Sequence, residues 1–233
     1  MSGMSSFDVA AIVSELKKVI VGARIRNIYQ VGDVFLVKLR GMGETLQLLV
    51  EPGRRIHLTW YERAKPRFPS VFCMTLRKHL RHGKVLSVWQ YDFDRVVVLE
   101  VGVAENKVSL VFELFGEGNI VLVDGEGKIV VAKNYASMRD RDVLPKKQYV
   151  FPPLRGLNPC TVSLEEFKKH ILESERSVAA TLVQKFNIGG VLAEEVCVRA
   201  GIDKSREAEA LSEGEAEALF KALTDLLKGV IEG

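Results

Sequence analysis

The stretch "NIGGVLAEEVCVRAGI", residues 187–202, sets the reading of the chain's second half. A short loop carrying Gly189 and Gly190 feeds into a helix rich in Ala and Glu, which stops at a second glycine turn, Ala200-Gly201-Ile202. The first N–H groups of such a helix have no intrahelical partner. Together with the helix dipole they can hold a phosphate oxygen. Glycine matters there because a side chain would block the approach. Asn187, Gly189 and Gly190 are therefore candidate phosphate-binding residues. On spacing alone, an ordinary glycine-capped turn is the other reading.

The neighbouring segments are also helical. Ser163 with Glu166 makes a capping box for "LEEFKKHIL" (164–172), and "SVAATLVQKF" (177–186) and "GEAEALFKALTDLLKGVIEG" (214–233) follow. Upstream, the Pro-rich "YVFPPLRGLNP" (149–159) reads as a linker. Before it lie short β-type runs: "RIRNIYQV" and "VFLVKLR" joined by Gly32-Asp33, then "ETLQLLVE" after Gly41-Met42-Gly43, and "RRIHLTW". Strands return in "KVLSVWQYDFDRVVVLEV", "KVSLVFELFGEGNIVLVD" and "KIVVAKNY", several separated by Gly-Glu-Gly turns. Two helices interrupt this pattern. Residues 6–21 start at Ser5 and Asp8 and end at Gly22. "FPSVFCMTLRKHLRHG" (68–83) places Val71, Met74, Thr75, Leu76 and Leu80 on one face.

The expected fold is α+β. An antiparallel β-rich, sandwich-like N-terminal domain with helices covers 1–155, and a helical helix–two-turns–helix domain covers 156–233. No internal repeat is evident. The chain's end just after a helix reads as the end of a fragment of a longer protein.

Composition narrows the function classes. A hydrophobic share of 47% over 233 residues supports a real core. No apolar run reaches the roughly 18–20 residues that span a bilayer, and the N-terminus lacks a secretory pattern, so a soluble cytoplasmic protein without a membrane partner is expected. Cys73, Cys160 and Cys197 are isolated and odd in number, which favours reduced, buried thiols and leaves no zinc site. His57, His79 and His82 have no carboxylates spaced to complete a metal site, and His170 reads as a helix-surface residue. Nucleophile-elbow, phosphate-loop and zinc-protease motifs are missing, so the expectation is a non-enzyme with no cofactor, no metal and no small-molecule substrate.

Charge is unevenly placed. Residues 54–84 hold nine Lys/Arg against one acid, Glu62, a net of +8; residues 163–233 hold nine against fourteen acids, a net of −5. A polyanion fits the first surface. Arg77, Lys78 and Arg81 share a helical face, and Trp60, Tyr61 and Phe68 lie among the upstream charges. That combination suits a nucleic-acid backbone and unstacked bases; a solvated helix face is the alternative. Asp94-Arg95 in "DFDRVV" joins an acid that can accept from base amino groups to an Arg that can clamp phosphate, against a plain turn aspartate beside an edge charge. Glu113 is the one acid inside an apolar strand, fit for a raised pKa or for a buried pair with an arginine.

Two resemblances follow. "IGGVLAEEVCVRAGI" is similar to the helix–two-turns–helix motif of the formamidopyrimidine-DNA glycosylases, whose Gly-rich turn grips a DNA phosphate. Their N-terminal proline-glutamate and four-cysteine zinc finger have no match here, so the lyase chemistry is not implied. A DNA-binding or DNA-repair protein of that type is the alternative function.

From Ser5 to about Gly201 the chain resembles the N-terminal region of the NFACT family of ribosome quality-control tailing factors, once called fibronectin-binding-protein-A-like. The match rests on "SSFDVAAIVSELKKVIVGARIRNIYQ", "FCMTLRKHLRHGKV", "DRVVVLEV", "FELFGEGNIVLVD" and "LPKKQYVFPP". This resemblance implies a part that binds tRNA and the large ribosomal subunit with its nascent peptidyl-tRNA. The whole factor recruits aminoacyl-tRNA for C-terminal tailing without mRNA, which is not expected of this piece alone. It implies Asp94, Arg95, Glu113 and Asn119 as tRNA-handling residues, beside Arg77, Lys78 and Arg81. The family's His-Ser-Asn is Glu117-Gly118-Asn119 here, and its Leu-Pro-Gly is Leu144-Pro145-Lys146. The old family name raises surface adhesion as a third reading, against which the N-terminus counts.

Overall fold

A computed structural model describes residues 3–41 and 43–231. The chain runs α1 (Ser6–Ile20), β1 (Arg24–Val31), β2 (Val34–Gly41), β3 (Glu44–Glu51), β4 (Arg55–Leu58), α2 (Val71–Leu80), β5 (Lys84–Gln90), β6 (Val96–Val103), β7 (Asn106–Glu113), β8 (Asn119–Val123) and β9 (Ile129–Ala132). A two-residue ladder, β10 (Ala136–Ser137) with β11 (Asp142–Val143), precedes the helices α3 (Leu164–Leu172), α4 (Val178–Phe186), α5 (Gly190–Ala200) and α6 (Glu213–Ile231). This is the expected α+β class. No helix among the described residues is long and apolar enough to cross a membrane.

The chain forms two compact units. One is built from Glu15–Tyr91 and Arg95–Pro153, the other from Ser5–Ser14, Asp92–Asp94 and the chain from Leu154 onward. The sequence reading placed residues 5–14 and 92–94 in the β-rich part. Here Ala10 and Phe93 lie in the apolar core of the helical unit, with Phe167, Phe186, Leu219 and Leu223. Linear position hides this, because short excursions of the chain carry single apolar side chains into another core.

The strands pair antiparallel in one sheet of nine, ordered β4-β3-β2-β1-β5-β6-β7-β8-β9. At its middle, β1 and β5 share a single residue pair, Arg24 with Lys84. Around that pair the backbone bonds are reciprocal. Gly22 N–H donates to Val85 O (2.8 Å) and His82 N–H to Ile25 O (2.8 Å); Val85 N–H donates to Ala23 O (2.8 Å) and Ile25 N–H to Gly83 O (2.9 Å). Both strands carry a register shift at the same place, between Ile25 and Asn27 and between Val85 and Ser87. Gly22 and His82 both end their helix at positive φ, 88° and 70°. The sheet therefore does hold an internal repeat, a four-strand meander entered from the end of a helix, twice over. The expectation of none was wrong, because the repeat is kept in burial and hydrogen bonding more than in residue identity. Ile25/Val85, Ile28/Val88 and Gln30/Gln90 correspond, yet His82 stands where Gly22 does.

Helix faces follow from spacing. In α1, Val9, Val13, Leu16 and Ile20 are buried, and Ser5 and Asp8 cap each other, Ser5 N–H to Asp8 Oδ2 at 2.8 Å and Asp8 N–H to Ser5 Oγ at 3.2 Å. In α2 the buried stripe is Cys73, Leu76 and Leu80, while Val71 and Met74 are exposed. Of the face expected from spacing, Leu76 and Leu80 are buried, while Cys73 takes the place of Val71 and Met74. Ser70, accepting from Cys73 N–H at 3.1 Å, fixes the helix start. Cys73 and Cys197 are buried, but Cys160 is exposed, against expectation.

Two glycines let corresponding loops of the two halves cross. Gly53, in the β3–β4 turn, donates its N–H to Glu113 O (3.1 Å). A Cβ on Gly118, in the β7–β8 loop, would strike the backbone of Gly53 and Pro52, and Gly118 also sits at φ +70°. Left-handed strain and overpacking each run to about 1–3 kcal/mol. Gly118→Ala is therefore expected to destabilise by about 3 kcal/mol or more in urea denaturation. Gly116→Ala, at φ +55° but in open space, should cost only about 1–2 kcal/mol. Equal losses would mean the crossing is not the constraint.

Candidate functional site

The β-hairpin between β5 and β6 departs from its counterpart in the first half. The β1–β2 turn needs only Gly32 and Asp33, whereas Tyr91 to Arg95 intervene between β5 and β6. Asp92 and Phe93 both take positive φ, 37° and 56°. This enlarged turn carries Asp94-Arg95. Arg95 is half-exposed and its carbonyl accepts from Leu114 N–H at 2.8 Å. Asp94 is not the surface residue that a turn suggested: it is 6% exposed. Within the helical unit, Phe93 O accepts from the Asn187 side chain (3.3 Å), and Asp92 Oδ1 from Asn158 Nδ2 (2.9 Å). So the "DFDR" turn and the "NIGG" turn, far apart in sequence, meet.

Register brings Glu113 and Asn119 to the same end of the strands as Arg95, since Val96 pairs with Glu113 and Glu113 with Asn119. Both candidates are structural in this arrangement. Arg141 grips Glu113 with two bonds, Nη1 to Oε1 at 2.5 Å and Nη2 to Oε2 at 2.9 Å, and Tyr149 OH donates to Oε1 at 2.9 Å. Glu113 is 3% exposed, so its carboxylate faces these partners and not a surface ligand. Desolvation pulls the Arg141 pKa down, but the hydrogen bond and charge of Glu113 outweigh it and hold the guanidinium above its ordinary value. Burial first, then the Glu113 charge, pushes the Tyr149 hydroxyl up. Of the two sequence readings of Glu113, the buried pair with an arginine is the one observed. Asn119 Oδ1 accepts from Asn134 N–H (3.0 Å) and its Nδ2 donates to Asn134 O (2.8 Å), which clamps the chain beyond β9. Arg141, Tyr149 and Asn134 were not foreseen; the only cue was that an acid within an apolar strand needs a partner.

The basic stretch separates into used and outward cations. Arg54 and Arg55 both bind Glu51, at 3.1 and 2.9 Å. Arg77 donates to Ile28 O (2.6 Å) and lies 5.1 Å over the Tyr29 ring, while Lys65 lies 4.9 Å from the same ring. Arg63, Lys78, Arg81 and Lys84 are exposed, with no ion pair holding them among the described residues. Lys78 and Arg81 thus present charge from α2, and Arg77 anchors the helix.

In the helical unit, α4 ends at Asn187 in the left-handed conformation (φ 52°) and Gly189 is the N-cap of α5. Neither Gly189 nor Gly190 has positive φ. A Cβ on Gly190 meets nothing within 4 Å, and one on Gly189 would make an ordinary 3.5 Å contact with Ser5. The fold does not require either glycine.

The family described as NFACT N-terminal and middle domains matches residues 5–233. The archaeal Rqc2 homolog aRqcH of Methanocaldococcus jannaschii is 35% identical over 97% of this chain, and the human ribosome quality control complex subunit NEMF is 38% identical over 68%. The chain spans 35% of the archaeal protein's length and 15% of the human one's. Among solved structures, the N-terminal part of the Streptococcus suis fibronectin/fibrinogen-binding protein superposes with TM-score 0.79 at 27% identity, covering 94% of this chain and 85% of that one. Lactococcus lactis Fpg, solved with DNA containing an abasic site, gives 0.53 at 14% identity, covering 98% and 79%, a likeness of fold alone.

Removing one partner of a buried ion pair leaves an uncompensated charge and costs about 3–5 kcal/mol. Arg141→Ala should lose that much in chemical denaturation, and Glu113→Gln with Arg141→Met together should recover part of it. Asp94→Ala should cost about 1–3 kcal/mol for its lost buried partners. A melting temperature unchanged in both single variants would mean these carboxylates are held for a ligand and not for the fold.

Proposed function

This chain belongs to the family of NFACT N-terminal and middle domains, and from that premise we propose that it is the tRNA- and large-ribosomal-subunit-binding part of a ribosome quality-control factor. In this reading the whole protein recruits aminoacyl-tRNA to large subunits obstructed by peptidyl-tRNA, for C-terminal tailing without mRNA. The chain itself acts in the cytoplasm as a non-enzymatic binding part. Relatives named as ribosome quality control subunits support the role. The observation that carries the RNA-binding part is the outward cation set on and beside α2, Arg63, Lys78, Arg81 and Lys84, without ion-pair partners among the described residues. Unneutralised cations on one stretch attract a phosphate backbone, and their contribution is read from salt dependence. Arg95 stands as a further contact. Glu113 and Asn119 act behind it, holding the strand ends that position the "DFDR" turn.

Each phosphate contact removed lowers the slope of log K against log salt by roughly one unit. Lys78→Ala with Arg81→Ala should therefore flatten the salt dependence of tRNA binding by about one to two units while the fold stays intact, because both side chains are exposed. Identical slopes would remove α2 from the interface. Crosslinking to total cellular RNA should enrich one tRNA family. Cleavage of abasic DNA in a nicking assay would instead support the glycosylase-like alternative.

The start of α5 supplies a second contact in this reading. Gly190 is exposed, free of positive φ and in open space, so Gly190→Val should fold with little more than the propensity change of a first-turn position. RNA affinity should fall, because the valine covers the free N–H groups. A folded Gly190→Val chain that binds tRNA as tightly as the parent would make the hairpin scaffold only.

A further inference from the structure

The loop between β4 and α2 leaves three aromatic rings in solvent. Trp60 is 76% exposed, Tyr61 84% and Phe68 78%. Every residue from 60 to 68 is exposed. Rings of this size are normally the largest contributors to a core. Three of them exposed within one nine-residue loop mark an interaction surface. The backbone beneath is held: Thr59 N–H donates to Gln47 O (2.9 Å), the Gln47 side chain donates to Tyr61 O (3.0 Å), and Tyr61 N–H donates to Thr59 Oγ1 (3.2 Å). The rings are thus presented from an anchored start and do not hang on a free coil. Arg67 lies 5.4 Å over the Phe68 ring, which makes a flat cationic face. The loop's single acid, Glu62, is engaged by Lys38 (3.5 Å) and Lys65 (4.0 Å).

Resting on the RNA-binding reading, we propose that this loop is a stacking platform for unpaired RNA bases, made of Trp60 and Tyr61 at its start and the Arg67-Phe68 pair at its end in sequence. A protein groove would accept the rings but has no use for the surplus of Arg63 and Arg67, which no ion pair holds among the described residues. A duplex would satisfy the cations but keeps its base faces stacked within itself. Unpaired nucleotides offer both a π-face for each ring and a phosphate for each cation. The partner class is therefore a single-stranded loop or end of an RNA, and α2, with Lys78 and Arg81, holds the adjoining backbone.

The test is tryptophan fluorescence with an oligoadenylate and with a fully paired RNA duplex of equal length, using the whole 233-residue chain. Only two tryptophans contribute, and Trp89 is half-buried against Phe151 with ring centroids 6.0 Å apart. The oligoadenylate should quench emission and bind more tightly than the duplex. Trp60→Leu should abolish the quench and weaken binding roughly tenfold with an unchanged salt slope, and Trp60→Phe should restore most of the affinity. Lys78→Ala with Arg81→Ala should do the reverse, keeping the quench and flattening the slope. Unchanged oligoadenylate affinity in Trp60→Leu overturns the platform, as does equal binding of duplex and single strand. If Trp60→Leu instead loses co-sedimentation with large ribosomal subunits but keeps oligoadenylate affinity, the loop docks a protein and the proposal falls. A parent chain that binds no RNA of any kind overturns the proposed function as well, whereas tRNA binding without a Trp60 effect overturns this inference alone.

Discussion

The β-rich unit depends on one junction, where Arg24 and Lys84 face each other and four backbone hydrogen bonds run reciprocally between the two chain segments. Each bond is worth only about 0.5–1.5 kcal/mol net, but together they set the register of everything on either side. A helix must end, turn through a positive φ and enter a strand, and it must do so twice so that the two strand starts fit each other. Gly22 meets this with no Cβ, and His82 meets it at a cost that glycine would avoid. Once the junction is made, each half needs only hairpins to complete its meander. The features that distinguish the halves are then additions to a shared plan: the enlarged "DFDR" turn, the extra strand β9, and the buried acid at the end of β7. Asp94, Arg95, Glu113 and Asn119 gather at these departures, whereas Arg77, Lys78 and Arg81 lie on and just after α2, an element of the shared plan.

Glu113 shows how the departure is held. The first half ends β3 on Glu51, which serves Arg54 and Arg55 near the surface. Exposed pairs of that kind contribute about 0–1 kcal/mol. The second half ends β7 on Glu113, enclosed with Arg141 and Tyr149. A buried pair is not a strong stabiliser in net terms, because desolvation opposes the Coulomb gain. Its effect is to make alternatives expensive: any arrangement that separates the two charges leaves one of them buried and unpaired. That selects a single position for the segment around Arg141 and for the strand end beside Arg95. The distinction matters for function, since a carboxylate so enclosed acts by placing its neighbours.

Much of this was legible in the sequence. The strands at "VFLVKLR" and "KVSLVFE", the Gly32-Asp33 and Gly-Glu-Gly turns, and the Ser163 cap all appear where their residue types require. What was illegible depends on contacts between distant positions. The face of α2 was placed about one residue off, and only the packed structure buries Cys73 and leaves Val71 and Met74 exposed. Asp94 read as a surface turn residue because nothing local tells that Phe93 enters a core made of helices some seventy residues or more further on. The partner of Glu113 was predictable in kind, an arginine, but not in number, since Arg141 follows an irregular stretch with no periodicity to place it. The repeat escaped because burial class, not identity, is what the reciprocal junction conserves.

The glycines themselves divide into two kinds, and the division bears on the opening motif. Gly53 and Gly118 are demanded from within: backbone meets backbone, and a methyl group has nowhere to go. Gly189 and Gly190 are demanded by nothing in the chain, neither by dihedral angle nor by space. Gly189 is an ordinary N-cap, roughly a few tenths of a kcal/mol behind Ser or Asp, so it is at the first helical position, Gly190, that a better helix former would serve stability more. Gly190 weakens the helix start slightly and sits in open space, and the fold itself gives no reason for it. The phosphate contact proposed for this helix start would give one, since its ligand must come close to the backbone. The same logic ties Asn187 to the site, because its left-handed turn and its bond to Phe93 O aim the bare helix start from a fixed base. An anchored Asn187 and a next turn without bulk are what the proposed backbone-held anion would need.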